Sequence, residues 1–202
     1  MTVKAEKAVA GGSNELGHID LVEAIYTRRA VREFTSEPVD SETIRQLIDA
    51  AIQAPSAVNE QSWAFSVVRD KAVLARISGE AKALMLKAPP KGLPSRHFAE
   101  LSDPDYDIFY HAPVLIVISS TSAWHWAVEN CSLAAENLML AARAAGLGTC
   151  WIGFAQTWLN TPEGKSSLGL PSGYVPIAPI IVGHPMHEAP PVPRKEPEVH
   201  WI

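Results

Sequence analysis

The chain has 202 residues, enough for one domain with a real core, and 47% of them are apolar against 19% charged. A formal net charge of −5 argues against a nucleic-acid surface, and the two lone cysteines, Cys131 and Cys150, argue against a disulfide scaffold and for a reducing, cytoplasmic setting. The longest uncharged apolar run, 112–118, is far too short to cross a bilayer, so no membrane partner is expected.

Residues 1–18 lack the apolar stretch of a secretory signal and read as a disordered leader to a single domain over 19–202. Asp20 caps a short helix that runs to Thr27. Arg28, Arg29 and Arg32 follow within five positions, spaced by Ala30 and Val31. Cations at a helix C-terminus account for one or two of them. Arg32 lies beyond that end, so charge alone leaves anion binding and a solvated helix end as equal readings. Asp40 caps a helix over 41–54, with Ile44, Leu47, Ile48 and Ala51 on one face. The loop "APSAVNEQSW" (54–63) then enters a strand over 63–69. Its simplest reading is a connection, although short hydroxyl and amide groups also suit a phosphate or polyhydroxyl ligand.

Asp70 caps a helix over 71–87. Residues 88–111 hold four prolines together with His97, Phe98, Tyr106 and Phe109, and read as an irregular lid. The run 113–120 is apolar enough to be a strand buried on both faces. A helix over 124–145 carries only a narrow polar stripe, which places it at the centre or at a subunit interface, with Trp124 near its start. "GLGTCWIG" (146–153) has the wrong spacing for a dinucleotide fingerprint and enters a strand rather than leaving one. Gly146 reads as a helix C-cap, and Gly153 ends the strand where a flat ligand could approach. Pro176 and Pro179 argue that the last strand, 175–183, is irregular or an edge. The tail 184–202 is extended and holds Arg194, Lys195 and Trp201; His184 and His187 lack a third partner for a metal, so no metal is expected. The fold class is α+β, a central mixed or antiparallel sheet of four to five strands wrapped by helices.

Taken in order, Arg28-Arg29-Ala30-Val31-Arg32, then Ala54-Pro55-Ser56 with Asn59, Gln61 and Trp63, then Gly146-Leu147-Gly148 with Trp151 and Gly153, and finally Gly183, Pro185, Arg194 and Lys195, resemble the nitroreductase family of flavin enzymes. The resemblance spans about residues 20–196. It implies the nitroreductase-like fold, with a long interface helix and an extended tail, and a homodimer with FMN at the subunit interface. It places Arg28 and Arg29 at the FMN phosphate and ribityl chain and Arg32 at the pyrimidine edge. Pro55, Ser56 and Asn59 would reach over from the other subunit, and Ala57 and Gln61 count with them among the cofactor-binding residues. Trp151, Ile152 and Gly153 would face N5 and O4, and Arg194 with Lys195 would close on the phosphate. His97, Phe98, Tyr106, Phe109 and Trp124 are candidates for the substrate pocket. Ala30 stands where the family usually has Ser, and Ser62 where Pro is usual. One neutral hydrogen bond lost at Ala30 is worth about 0.5–1.5 kcal/mol, less than the charged contacts that remain.

The activity implied is ping-pong hydride transfer from NADH or NADPH, through FMN, to a nitroaromatic, quinone or related small oxidant, with no catalytic side chain. Flavin fragmentation, reductive dehalogenation and non-catalytic flavin binding are the rival readings.

Overall fold

Every residue of β2 (Val114–Ser120) is buried, as an uninterrupted apolar strand requires. In the computed structural model, which describes residues 19–202, β2 pairs with β1 (Trp63–Val68) on one side and β4 (Val175–Gly183) on the other, and β3 (Gly148–Trp151) completes the order β1-β2-β4-β3. All three pairings are antiparallel, so the sheet is not mixed. The expected leader lies outside the described residues.

Of the two expectations for β4, irregular pairing holds, since its register with β2 shifts at Ile118/Ser119, and the edge position does not, because β4 lies between β2 and β3. In an antiparallel strand the N–H and C=O of one residue point to the same side. The Pro179 carbonyl accepts the Ile152 N–H at 2.8 Å, and the Pro176 carbonyl accepts the Asn160 side-chain amide at 2.8 Å. Both prolines therefore turn their missing donors past the end of β3, where no ladder bond is due. The register shift at Ile118/Ser119 makes this possible: Ile118 pairs with Ala178 and Ser119 with Pro176, so Ile177 is an extra residue that brings both prolines to one side.

Three helices begin at the expected aspartates. Asp20 Oδ1 accepts the Glu23 N–H before α1 (Leu21–Thr27), and Asp40 Oδ1 accepts the Thr43 N–H before α2 (Ser41–Ala51), both at 2.8 Å. Asp70 accepts from Ala72 and Val73 before α3 (Lys71–Lys87). α4 (Ser95–Ser102) follows within the proline-rich segment, α5 (Ala127–Ala144) is the long helix, and α6 (Gly153–Leu159) and α7 (Pro162–Ser167) fill the connection from β3 to β4. The sequence did not reveal α4, α6 or α7, whose shortness leaves little periodicity. β3 stops at Trp151, so Gly153 opens α6 rather than closing a strand.

The sheet separates two cores. α2 and α5 cover one face through Ile44, Leu47 and Leu138 against Ile116, Ile118 and Ile180. α3, α4 and α6 cover the other through Leu74, Ile77 and Leu159 against Leu115, Val117 and Ile181. The second core includes Ile108 and Phe109 at 1% and 0% exposure. Lys82 Nζ on α3 donates to the carbonyls of Asp103 and Tyr106 at 2.6 Å each. The C-terminal half of the expected lid is thus anchored, and Phe109 is a core residue, not a pocket wall.

Candidate cofactor-binding site

Residues 28–32 run beside β3. The Val31 N–H donates to the Thr149 carbonyl at 2.9 Å, and Ala30 bridges Thr149 in parallel. Gly148 permits this approach, since a Cβ there would stand 2.8 Å from three Val31 side-chain atoms. The chain leaving β4 returns to the same segment: Phe34 bridges Pro185, and the Met186 N–H donates to the Glu33 carbonyl.

A cavity of about 240 Å³ opens at this junction, with Arg28, Arg29 and Arg143 all in its wall. Arg28 Nε lies 3.2 Å from Glu136 Oε1, and Arg143 Nε donates to Thr27 Oγ1 at 2.9 Å. Arg29 Nη1 donates to the carbonyls of Tyr26 and Arg28, which leaves its buried Nε without a partner. Three guanidinia share this wall with Glu188, and among the described residues only Arg28 is paired with a carboxylate, that of Glu136, so positive charge is in excess there. Sequence reasoning missed Arg143. It appeared only as part of a polar stripe, and packing of α1 on α5 is what brings it to Arg28.

Arg32 projects beyond this cluster. Among the described residues its side chain has no hydrogen bond or ion pair, and its guanidinium carbon sits 5.8 Å from the centre of the Tyr110 ring. Gly153 is exposed, and a Cβ there would meet nothing within 4 Å, so the chain presents open backbone. Trp151 is partly buried against the first core, and Ile152 is buried in the second.

The loop 54–63 forms a second group. Asn130, on α5 and 1% exposed, accepts the Ala57 N–H at Oδ1 (2.9 Å), while its carbonyl accepts Trp63 Nε1. Glu60 Oε2 accepts Ser62 Oγ at 3.0 Å and meets Asn130 Nδ2 at 3.5 Å. Ser56 Oγ accepts the Gln61 N–H, and Gln61 Nε2 donates to Asn59 Oδ1. These bonds hold Val58, Asn59 and Gln61 at φ 48°, 56° and 52°, a left-handed region that costs a β-branched residue most. Val58 is nevertheless 84% exposed. Three left-handed residues in four positions of a surface loop are held by this hydrogen-bond network.

Within one chain the two groups do not meet. From Asn130 to Arg143, α5 climbs about 20 Å at 1.5 Å per residue. Pro55, Ser56, Ala57, Asn59 and Gln61 cluster near the first turn of α5, whereas Arg28 reaches Glu136 near its middle and Arg143 lies in its last turn. Arg194 and Lys195 are exposed in the part of the tail beyond Met186, which among the described residues makes no hydrogen bond to the body. The pocket candidates are scattered as well. His97 packs edge-on against Phe154 with Nδ1 2.9 Å from Glu100, and Phe98 is exposed. Tyr106 Oη meets Tyr110 Oη at 2.8 Å, and Trp124 is exposed just before α5. Burial pushes the Cys131 thiol up to about 12, and burial likewise raises Cys150 against the pull of Arg32 and Arg28, so neither is a ready thiolate.

Residues 25–184 match the model of the nitroreductase family. A protein of Archaeoglobus fulgidus, provisionally named an NADH dehydrogenase/NAD(P)H nitroreductase, is 30% identical over 179 residues, covering 84% of this chain and 87% of its own. The FMN reductase [NAD(P)H] of Bacillus subtilis is 27% identical, covering 87% of this chain and 70% of its own. A crystal structure of a nitroreductase with bound FMN from Bacteroides fragilis superposes with a TM-score of 0.76 at 26% identity, covering 91% of this chain and 97% of that one. The arginine-lined cleft beside β3 thus stands on a known scaffold, and the chain belongs to the nitroreductase family.

Proposed function

We propose that this protein is an FMN-dependent NAD(P)H oxidoreductase. The observation that carries the reading is a set of guanidinia: Arg28, Arg29 and Arg143 around one cavity, and Arg32 beyond them without an anionic partner among the described residues. The donor set fits an anionic cofactor with a second, electron-rich edge. Arg28, Arg29 and Arg143 would hold the phosphate, and Arg32 would face the pyrimidine edge, where negative charge builds on reduction. Open backbone at Gly153 leaves room for a flat ring beside Trp151 and Ile152. The FMN of the Bacteroides fragilis structure and the name of the Bacillus subtilis relative support the same assignment. Bound FMN would supply the redox chemistry, taking hydride from NADH or NADPH and giving it to a nitroaromatic, quinone or related small oxidant in turn.

The site is complete only in a two-fold homodimer. Antiparallel α5 helices would set the Asn130 end of one chain against the Arg143 end of the other, bringing Pro55, Ser56 and Asn59 to the partner's arginines. Exposed Leu21, Val22, Ile25 and Tyr26 on α1 and Val128 and Leu133 on α5 give the apolar surface for it. The tail, with Arg194 and Lys195, would wrap over the partner. Two buried free thiols suit a reducing cytoplasm, and no helix among the described residues is long and apolar enough to cross a membrane.

The test is the visible spectrum of the purified protein, followed by anaerobic NADH or NADPH and then an oxidant panel. Yellow protein that bleaches and recovers with a nitroaromatic or quinone supports the reading. Colourless protein that takes up no added FMN overturns it. A monomer by light scattering with FMN bound would remove the shared site.

A further inference from the structure

Tyr110 and His111 have φ of 53° and 56°, two consecutive left-handed residues of which neither is glycine. Asp107 holds them there: its Oδ2 accepts the His111 N–H at 2.9 Å, and its carbonyl accepts the Tyr110 N–H at 3.0 Å. Such strain persists only where the surroundings over-determine it. Its product is the ring of Tyr110 against the Arg32 guanidinium at 5.8 Å. Tyr110 is fixed in turn by its 2.8 Å hydroxyl contact to Tyr106, which also stands edge-on to it. Lys82 lies 5.9 Å from the centre of the Tyr106 ring and donates to the carbonyl of Tyr106. Burial and the bond to Tyr110 push the Tyr106 hydroxyl well above its ordinary range, so Tyr106 stays protonated.

We propose that Tyr110 is a positioning residue for Arg32, and that Tyr106, itself held by Lys82 on α3, braces Tyr110. A guanidinium with no carboxylate partner keeps its full charge for a ligand, but a long, solvated side chain would otherwise wander. A ring face restrains it without neutralising it. The segment sequence reading took for a lid is instead the rear support of the cationic edge. The inference rests on the FMN reading for its consequence, though not for its geometry.

The geometry is tested in the protein without added FMN. The Arg32 Nε–H resonance, assigned by its loss in Arg32→Ala, is expected to be shifted upfield by the ring current in wild type and in Tyr110→Phe, and to return to the free-arginine position in Tyr110→Leu. A free-arginine shift in wild type overturns the proposal, whether or not any variant folds and whether or not FMN binds. The consequence is tested by FMN titration and midpoint potential. Tyr110→Leu should bind FMN about three- to tenfold more weakly and at a lower potential, while Tyr110→Phe, which keeps the ring but loses the hydroxyl contact to Tyr106, should fall between it and wild type. Arg32→Ala combined with Tyr110→Leu should be no worse than Arg32→Ala alone. Additive losses would show that Tyr110 acts independently of Arg32 and would overturn the proposal. Wild-type protein that binds no FMN would sink the flavin reading instead, leaving the resonance to decide the positioning role.

Discussion

Asn130 Oδ1 accepts the backbone N–H of Ala57 across 73 residues of sequence, at 2.9 Å and out of solvent. A buried side chain on the central helix thereby dictates the conformation of a strained surface loop. Asn130→Ala removes the acceptor of the partly buried Ala57 N–H and should cost about 0.5–1.5 kcal/mol of stability by chemical denaturation. Asn130→Asp should be at least as harmful, because it sets a second carboxylate beside Glu60. If both variants match wild type in stability and FMN binding, the loop holds its shape without α5.

Arg143 is expected to meet the same anion as Arg28. Charge-assisted contacts are worth about 1.5–3 kcal/mol each, so Arg143→Ala should weaken FMN binding about 10- to 100-fold by fluorescence titration. Arg143→Lys should recover only part of it, since an ammonium cannot both hold Thr27 and reach the cavity. An Arg143→Ala protein with wild-type affinity would confine the phosphate to Arg28 and Arg29.

Gly148→Ala tests how the arginine segment is held. The added methyl would stand 2.8 Å from the Val31 side chain, and overpacking of this kind costs about 1–3 kcal/mol. Displacement of 28–32 should also lower FMN affinity, so thermal unfolding and FMN titration should move together. Lost stability with unchanged affinity would separate the Val31 contact from the site.

The tail is predicted to act on the partner. Deleting 188–202 should weaken FMN binding by at least as much as Arg194→Ala, itself about 10- to 100-fold, and should lower the dimer fraction in sedimentation. Lys195→Gln should have the smaller effect. A truncated protein that keeps both FMN and dimer would make the tail a passive extension.

The thiols should be silent. Cys131 keeps its proton to about pH 12 in the folded state, against 9.0 for an unperturbed thiol. Its contribution to stability is therefore whole below pH 9 and declines from there towards pH 12. At pH 8 a disulfide reagent should label neither Cys131 nor Cys150 in native protein and both in denaturant. Rapid labelling of Cys131 in native protein would contradict its burial.

The sequence alone determined a good deal. Asp20, Asp40 and Asp70 announce helix starts because a carboxylate that caps orphan N–H groups needs only its next three residues. The run 114–120 announces a central strand because a segment with no polar face has one place to go. The arginine spacing and the ordered turn motifs sufficed to suggest the family. What the sequence misjudged or hid depends on partners far along the chain. Pro179 is compatible with an inner strand only because β3 has already ended beside it. Phe109 is core rather than pocket because Lys82 and Ser78 pin its segment to α3. Arg143 joins Arg28 only because α1 lies on α5, and Arg32 is held by an aromatic face 78 positions away. Local capping and periodicity are written in adjacent residues; which charges converge, and which are left without a partner, is decided only when the chain packs.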